Sequence, residues 1–369
     1  MVWLRRSWWL VLCGLLVGGV LVVAGDPAGS GRKRLHVPPG PETPPAPDTP
    51  WIWISPDELV ALPAEGAAFA AVLAAADEPY AAVPNLGDER DRANILLLAK
   101  AYAYVRTGAS EHRQDVVEGL LEAIGTEDGG RTLGLGRNLL AVLIAAQLVG
   151  LDSTPWGPYF TEWLDAVRTE ELLDGRSLVE THEERPNNWG TYAGASRMAA
   201  DLYLRDWEDF ERAVQVLRGY LGDRSAWSRF EYGLDLSWHA DPANPVPINP
   251  PGTTLLGFSV DGVLPDDQRR AGIFQWPPPV SNYPYGALQG AVAQAVIAQR
   301  HGHPAWELED RALVRALHWL ANEMGSPLAG DDAWIGHVVN HFCGTDFPAP
   351  VPAQPGKNMG WTDWTHASP

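Results

Sequence analysis

The sequence predicts a mostly helical protein, and three observations predict it. Apolar residues recur at helical spacing through most of the chain, glycines stand just behind several of those segments, and strand-type alternation is weak everywhere. The first helix start is Ser55-Pro56-Asp57-Glu58: a cap residue, proline at the first helical position, then acids in the first turn. Ala67–Ala76 is alanine-rich and helix-favouring. Asp88–Val105 carries Ile95, Leu96, Leu98, Ala99 and Tyr102 at helical spacing and is closed by Gly108. Asp115–Ile124 and Leu139–Leu148 repeat the theme before Gly125 and Gly150, and Trp189–Leu204, Trp207–Leu221, Tyr285–Arg300 and Glu307–Glu323 continue it. Helices in this number, joined by short turns, suit a bundle, a solenoid or a toroid. No strict repeat of fixed length is present, which counts against a regular solenoid.

Ahead of the helices stand two segments of other character. Arg5 and Arg6 precede an apolar run from Trp8 to Ala24, with small residues around Ala24-Gly25, the pattern of a signal peptide over residues 1–25. The run is at the short edge of what spans a bilayer, so a retained N-terminal anchor fits it as well. Residues 26–50 are rich in Pro and Gly and read as an extended linker. The expected location is therefore outside the cytoplasm, extracellular or associated with the cell envelope.

A hydrophobic content of 46% allows a large core, and a formal net charge of −19 argues against nucleic acid as a partner. An acidic polymer would need a cleft with its own positive groups. Only Cys13 and Cys343 are present, and Cys13 lies in the export segment, so neither a disulfide framework nor a cysteine metal site is expected. One copy of the chain is expected to act alone.

Two stretches break the helical rhythm. Residues 223–283 hold many Pro, Gly and Asp residues with aromatics, and a long loop inside a compact domain is usually functional. The tail from 326 to 369 holds Trp334, His337, His341, Phe347, Trp361, Trp364 and His366 and reads as an aromatic strap packed on the same domain. Flat aromatic rings stack on sugar faces. Most of the 17 tryptophans belong in a core, and the loop residues Trp227, Trp238 and Trp276 are the better candidates for sugar contact.

The most informative stretch runs from His182 through Asn187-Asn188-Trp189-Gly190-Thr191-Tyr192, two adjacent amides opening a helix. Further on, Asn282-Tyr283-Pro284-Tyr285-Gly286-Ala287-Leu288 opens an apolar helix. Together with Trp53-Ile54-Ser55-Pro56, these segments resemble the alginate lyases, polysaccharide lyases with a helical toroid fold, over about residues 51–325. The resemblance implies an all-α domain, an incomplete (α/α) toroid of antiparallel helix pairs. It also implies β-elimination on a uronic-acid polysaccharide, with no cofactor and no metal. In that chemistry an amide or cation neutralises the C5 carboxylate, a base takes the C5 proton and an acid protonates the leaving oxygen. By resemblance Asn187 or Asn188 neutralises the carboxylate, and Tyr285, with Tyr283 second, gives the proton.

The chain departs from the family at one position: the family's catalytic His follows the Asn pair, and here Trp189 stands there. His182 and His239 are the candidate replacements, or Tyr192 or Tyr285 serves as both base and acid. The family's Arg has no counterpart just before Tyr285, where Pro277, Pro278 and Pro279 stand, so Arg197 or the Arg269-Arg270 pair is the candidate cation. Trp189, Tyr192, Arg197, Trp238, Trp276, Tyr283 and His341 form the candidate substrate-binding set. His337 and His341, four apart, with Asp331, Asp332 and Asp346 nearby, are the one arrangement with metal-ligand spacing, and polar contacts beneath the tail suit them better than a metal. Two other functions stay open: a glycoside hydrolase drawing on Glu183, Glu184, Asp235 and Asp241, and a non-catalytic glycan-binding protein of the cell envelope.

Overall fold

A computed structural model describes Leu35, Val37, Pro38, residues 50–79 and residues 83–367. The expected export segment and most of the linker lie outside the described residues. The chain divides into Met1–Thr43 and Pro44–Pro369, and every described helix belongs to the second unit. No described helix is long and apolar enough to cross a membrane.

The fold is all-α. Its helices are α1 (Pro56–Ala61), α2 (Ala67–Ala76), α3 (Ala93–Thr107), α4 (Ser110–Ala123), α5 (Thr132–Leu148), α6 (Gly157–Val167), α7 (Leu178–Glu184), α8 (Asn188–Leu204) and α9 (Trp207–Leu221). Then come α10 (Pro265–Gln268), α11 (Tyr283–Arg300), α12 (Leu308–Asn322), α13 (Trp334–Cys343) and α14 (Thr362–Thr365). The caps are those the residues promise. Ser55 with Glu58, and Ser177 with Glu180, form capping boxes that satisfy the first backbone N–H groups of α1 and α7. Gly108 closes α3 in the left-handed region at φ 74°.

Four helices form the centre: α3 packs on α5, α5 on α8 and α8 on α11. They are buried almost all round, as their composition requires, because a helix apolar on every side has no face for water. Around them α2, α4, α7, α9 and α12 pack as partners. α9 shows why it is peripheral: Phe210, Ala213, Val214 and Leu217 are buried while Glu208, Glu211 and Arg212 face outward. Glycines let the central backbones approach. A Cβ at Gly136 of α5 would lie 2.9 Å from the Ala193 amide nitrogen of α8, and one at Gly290 of α11 would overlap the Thr191 carbonyl carbon. These close approaches explain why α5 starts at Thr132, ahead of the apolar run at Leu139, although Gly134 and Gly136 are poor helix formers.

The stretch from 223 to 282 is mostly irregular, with a two-residue antiparallel hairpin, β1 (Thr254–Leu255) and β2 (Phe258–Ser259), and the single turn α10. It is nevertheless well packed, since Trp238 at its centre is fully buried and donates its indole N–H to Gly272 O at 2.8 Å. The tail carries α13 and α14 and returns to the start of the domain. Trp364 donates to Pro63 O at 2.9 Å and packs its ring against Phe69 and Tyr102. Cys343, half-buried at the end of α13, is a free thiol.

Candidate functional site

The N-terminal halves of the four central helices gather at one end of the domain. Asn94 near the start of α3 donates to Arg137 O in α5 at 3.4 Å, and the Arg137 guanidinium lies 5.1 Å from the ring centroid of Tyr192 in α8. Tyr192 and Asn188 in turn face Gly286 of α11, where a Cβ would sit 3.7 Å from Asn188 Nδ2 and 3.9 Å from the Tyr192 hydroxyl. Both polar groups are buried and lie beside Gly286.

The adjacent amides have different tasks. Asn187 is the N-cap: its Oδ1 accepts from Trp189 N at 3.1 Å, and its Nδ2 donates to Asp266 Oδ2 at 2.8 Å. Asn188 is inside the helix, 3% exposed; its backbone N–H donates to Asp267 Oδ1 at 3.1 Å while its side-chain Oδ1 has no hydrogen-bond partner among the described residues. Asp266 is also held by Arg269 at 2.7 Å and by Gly233 N at 3.0 Å. Burial drives the Asp267 carboxyl well above its ordinary range, with the adjacent Asp266 adding to the rise. The pair thus braces the start of α8 from behind.

Tyr192 is fully buried, and its hydroxyl makes no hydrogen bond among the described residues. Burial holds it protonated, with the charge of Arg137 opposing and those of Asp332 and Asp331 reinforcing the rise. Tyr285 is occupied: its hydroxyl donates to Ser326 O at 2.5 Å, and burial raises it too. One turn on, Gln289 is the hub that ties the tail to the site. Its Nε2 donates to Asp332 Oδ1 at 2.7 Å and to Asp331 O at 3.2 Å, and its Oε1 accepts from Lys357 N at 2.9 Å. Lys357 pairs with Asp331 at 2.9 Å. Burial raises Asp332 to about 6, against the Gln289 hydrogen bond and the Lys357 charge.

At the rim, Trp189 has the Arg185 guanidinium 4.4 Å and the Arg131 guanidinium 5.4 Å from its ring centroid. Tyr283, 40% exposed, has Arg270 at 4.1 Å. Arg185 and Arg131 are also ion-paired, with Asp174 at 3.3 Å and Glu89 at 3.4 Å, so the positive charge these cation–aromatic pairs bring is partly neutralised.

Several expected residues lie elsewhere. His182 is buried against Gly194, and burial, with Arg197 next, keeps its imidazole neutral. Arg197 is fully buried and committed to Asp209 at 2.9 Å and Glu183 at 3.1 Å, so it is a structural cation. This network floors a cleft of about 840 Å³ beside α9, lined by Arg168, Glu183, Asp206, Arg212 and Trp227 among others. His239 is buried edge-on to Tyr232, and burial lowers it to about 4. Trp238, a candidate platform, is core, because its ring fills the centre of the irregular segment. Trp276 stacks on Phe258 at 4.7 Å, with interplanar angle 11°. His341 is exposed on α13, and His337 faces Pro350 O at 2.9 Å. Among the described residues no group of three or more His, Cys, Asp or Glu is placed so that it could hold a metal ion.

The hydrolase carboxylates are dispersed. Glu183 is held by Arg197 and Arg212, Glu184 by Arg176, Asp235 accepts from Ser237 N, and Asp241 is exposed. Residues that sequence reasoning missed are Arg137, Gln289 and Lys357, and Asp332 enters it only as a neighbour of the His337 and His341 pair. Arg137 and Gln289 carried a signal, being polar groups inside apolar helices. Lys357 carried none, and nothing in sequence tied Asp332 to this site, because only folding brings the tail to the helix ends. No family model and no curated protein matches this chain.

Proposed function

We propose that the chain is an exported polysaccharide lyase that cleaves a uronic-acid-containing glycan by β-elimination. The observation that carries this reading is the convergence of the Asn188 amide and the Tyr192 hydroxyl on Gly286, with Arg137 over the same tyrosine ring. In this reading α3, α5, α8 and α11 are the inner helices of an incomplete toroid, and its mouth is the end where their N-terminal halves gather. Helix N-termini favour anions, and the cations at the rim add to that field.

The roles follow from chemistry. Asn188 Nδ2 and the Arg137 guanidinium hydrogen-bond the uronate carboxylate and neutralise it, which stabilises the carbanion-like species formed when the C5 proton leaves. Tyr192, held protonated by burial, is the acid for the leaving glycosidic oxygen. It takes the place first expected of Tyr285, whose proton is committed to Ser326. Trp189 stacks on a neighbouring sugar ring.

The test follows near-ultraviolet absorbance of residues 44–369 with a panel of alginate and other uronic-acid polymers. The wild type is expected to produce an absorbing unsaturated sugar. Y192F and N188A are each expected to lower kcat/KM by about 10²–10⁴-fold, the usual contribution of one positioned acid or charge-stabilising group. New reducing ends without absorbance would instead identify a hydrolase. Oligosaccharide binding with neither signal would identify a glycan-binding protein.

A further inference from the structure

Trp189 leaves the site without an imidazole, and elimination needs a base. His182 and His239 are both buried and held neutral by packing, the first against α8 itself and the second against Tyr232. Neither is positioned at the spot where Asn188 and Tyr192 converge. The described carboxylates close to that spot divide clearly. Asp266 and Asp267 are committed to the start of α8, and Asp331 is paired with Lys357. Asp332 differs: Gln289 fixes its Oδ1 at 2.7 Å, which leaves Oδ2 as the oxygen available to take a proton. It is half-buried, and its partner Gln289 stands three residues, about one helical turn, beyond Gly286, the residue that Asn188 and Tyr192 face, so the carboxylate is held against the same helix beside that spot.

We infer that Asp332, delivered by the C-terminal segment, is the proton-abstracting base, in place of the imidazole that Trp189 excludes. This assignment rests on the elimination reading. Asp332 Oδ2 takes the C5 proton, and the C5–H electron pair becomes the C4=C5 double bond as the C4–O bond breaks. The leaving oxygen takes the Tyr192 proton. Asp332 then returns its proton to water and Tyr192 regains one, so both groups are restored. Gln289 and Lys357 are positioning residues: Gln289 aims the carboxylate, and Lys357 neutralises Asp331, which would otherwise repel the substrate. The charge state of Asp332 is set first by burial, which raises it, then by Gln289 and Lys357, which lower it, and by Asp331, which raises it. The neighbouring tyrosines Tyr192 and Tyr285 are held protonated, and Arg137 lies across the Tyr192 ring. A carboxyl titrating at about 6 in its resting site is close to neutral pH, where a general base works best.

The experiment is a pH profile of kcat/KM by near-ultraviolet absorbance for the wild type, D332N, D332E and K357M. D332N is expected to lose about 10²–10⁴-fold and D332E to recover part of that loss. The acid limb of the wild type is expected near pH 6, and it is expected to move upward in K357M, because removing a cation raises the carboxyl. A role confined to structure would lower the plateau without moving the limb. D332N with native circular dichroism and an undiminished rate overturns the base assignment alone. A wild type that yields no unsaturated product from any polymer overturns the elimination reading and this assignment with it.

Discussion

Gly290 shows how much a single residue decides in this fold. Its missing Cβ lets α11 lie directly on the Thr191 backbone, and that approach aims Gly286 at Asn188 and Tyr192. Its own backbone is ordinary helix, so the requirement is steric, not conformational. G290A is therefore expected to destabilise by about 1–3 kcal/mol through overpacking, where alanine in an open helix would stabilise. Chemical denaturation of the variant checks this, and an unchanged midpoint would show that the two helices can move apart freely. The Asn pair teaches a related lesson. Adjacent identical side chains read alike in sequence, yet one caps the helix and the other faces the site, because Asn187 is extended and Asn188 begins the helical turn.

At the scale of elements, the tail is part of the domain. α14 is a single turn, and its anchorage is Trp364, whose ring lies 4.9 Å from Phe69 and 5.9 Å from Tyr102. Truncating a buried tryptophan costs about 3–5 kcal/mol. W364A is expected to lower the melting temperature and, if the proposed elimination is carried out with Asp332 and Lys357 of the tail, to weaken that activity by loosening the site. Limited proteolysis at residues 344–356 is the direct check: cleavage is expected to quicken in W364A and stay slow in the wild type. Helix α5 illustrates a different point. Its start was expected at Leu139, but it runs from Thr132, because packing against α8 and the segment at Gly87 outweighs the propensity of two glycines.

Across the whole molecule, stability is tied to pH through buried histidines. His366 lies among Trp53, His341 and Phe342, and burial lowers it to about 3; His239 is lowered to about 4. Both are neutral when folded and take up protons below about 6.5 when unfolded, so the unfolded chain binds more protons there. The histidine contribution to stability is expected to be full above about pH 6.5 and to fall progressively toward about pH 4 and then 3 as these groups are forced to charge. Melting temperatures across that range test this, and H366Q is expected to flatten the slope. The net charge of −19 works in the same molecule against any polyanion, so under the proposed function binding would rest on the arginines beside Trp189 and Tyr283. Raising salt is expected to weaken uronan binding there.

What the sequence determined by itself was local. Capping residues, helical spacing and glycine stops marked the all-α class and nearly all the long helices, and the Asn-Asn start of α8 could be singled out, because such signals need only neighbours along the chain. Tertiary structure decided which of those polar groups meet. Trp238, Arg197, His182 and His239 looked like chemistry and are packed into the interior, since a side chain's exposure depends on what folds over it. Arg137, Gln289 and Lys357 looked ordinary, Asp332 stood out only beside His337 and His341, and the four come together at the helix ends. Gln289 stands 43 residues from Asp332 and 68 from Lys357, and separation on that scale leaves no pattern for local periodicity to register.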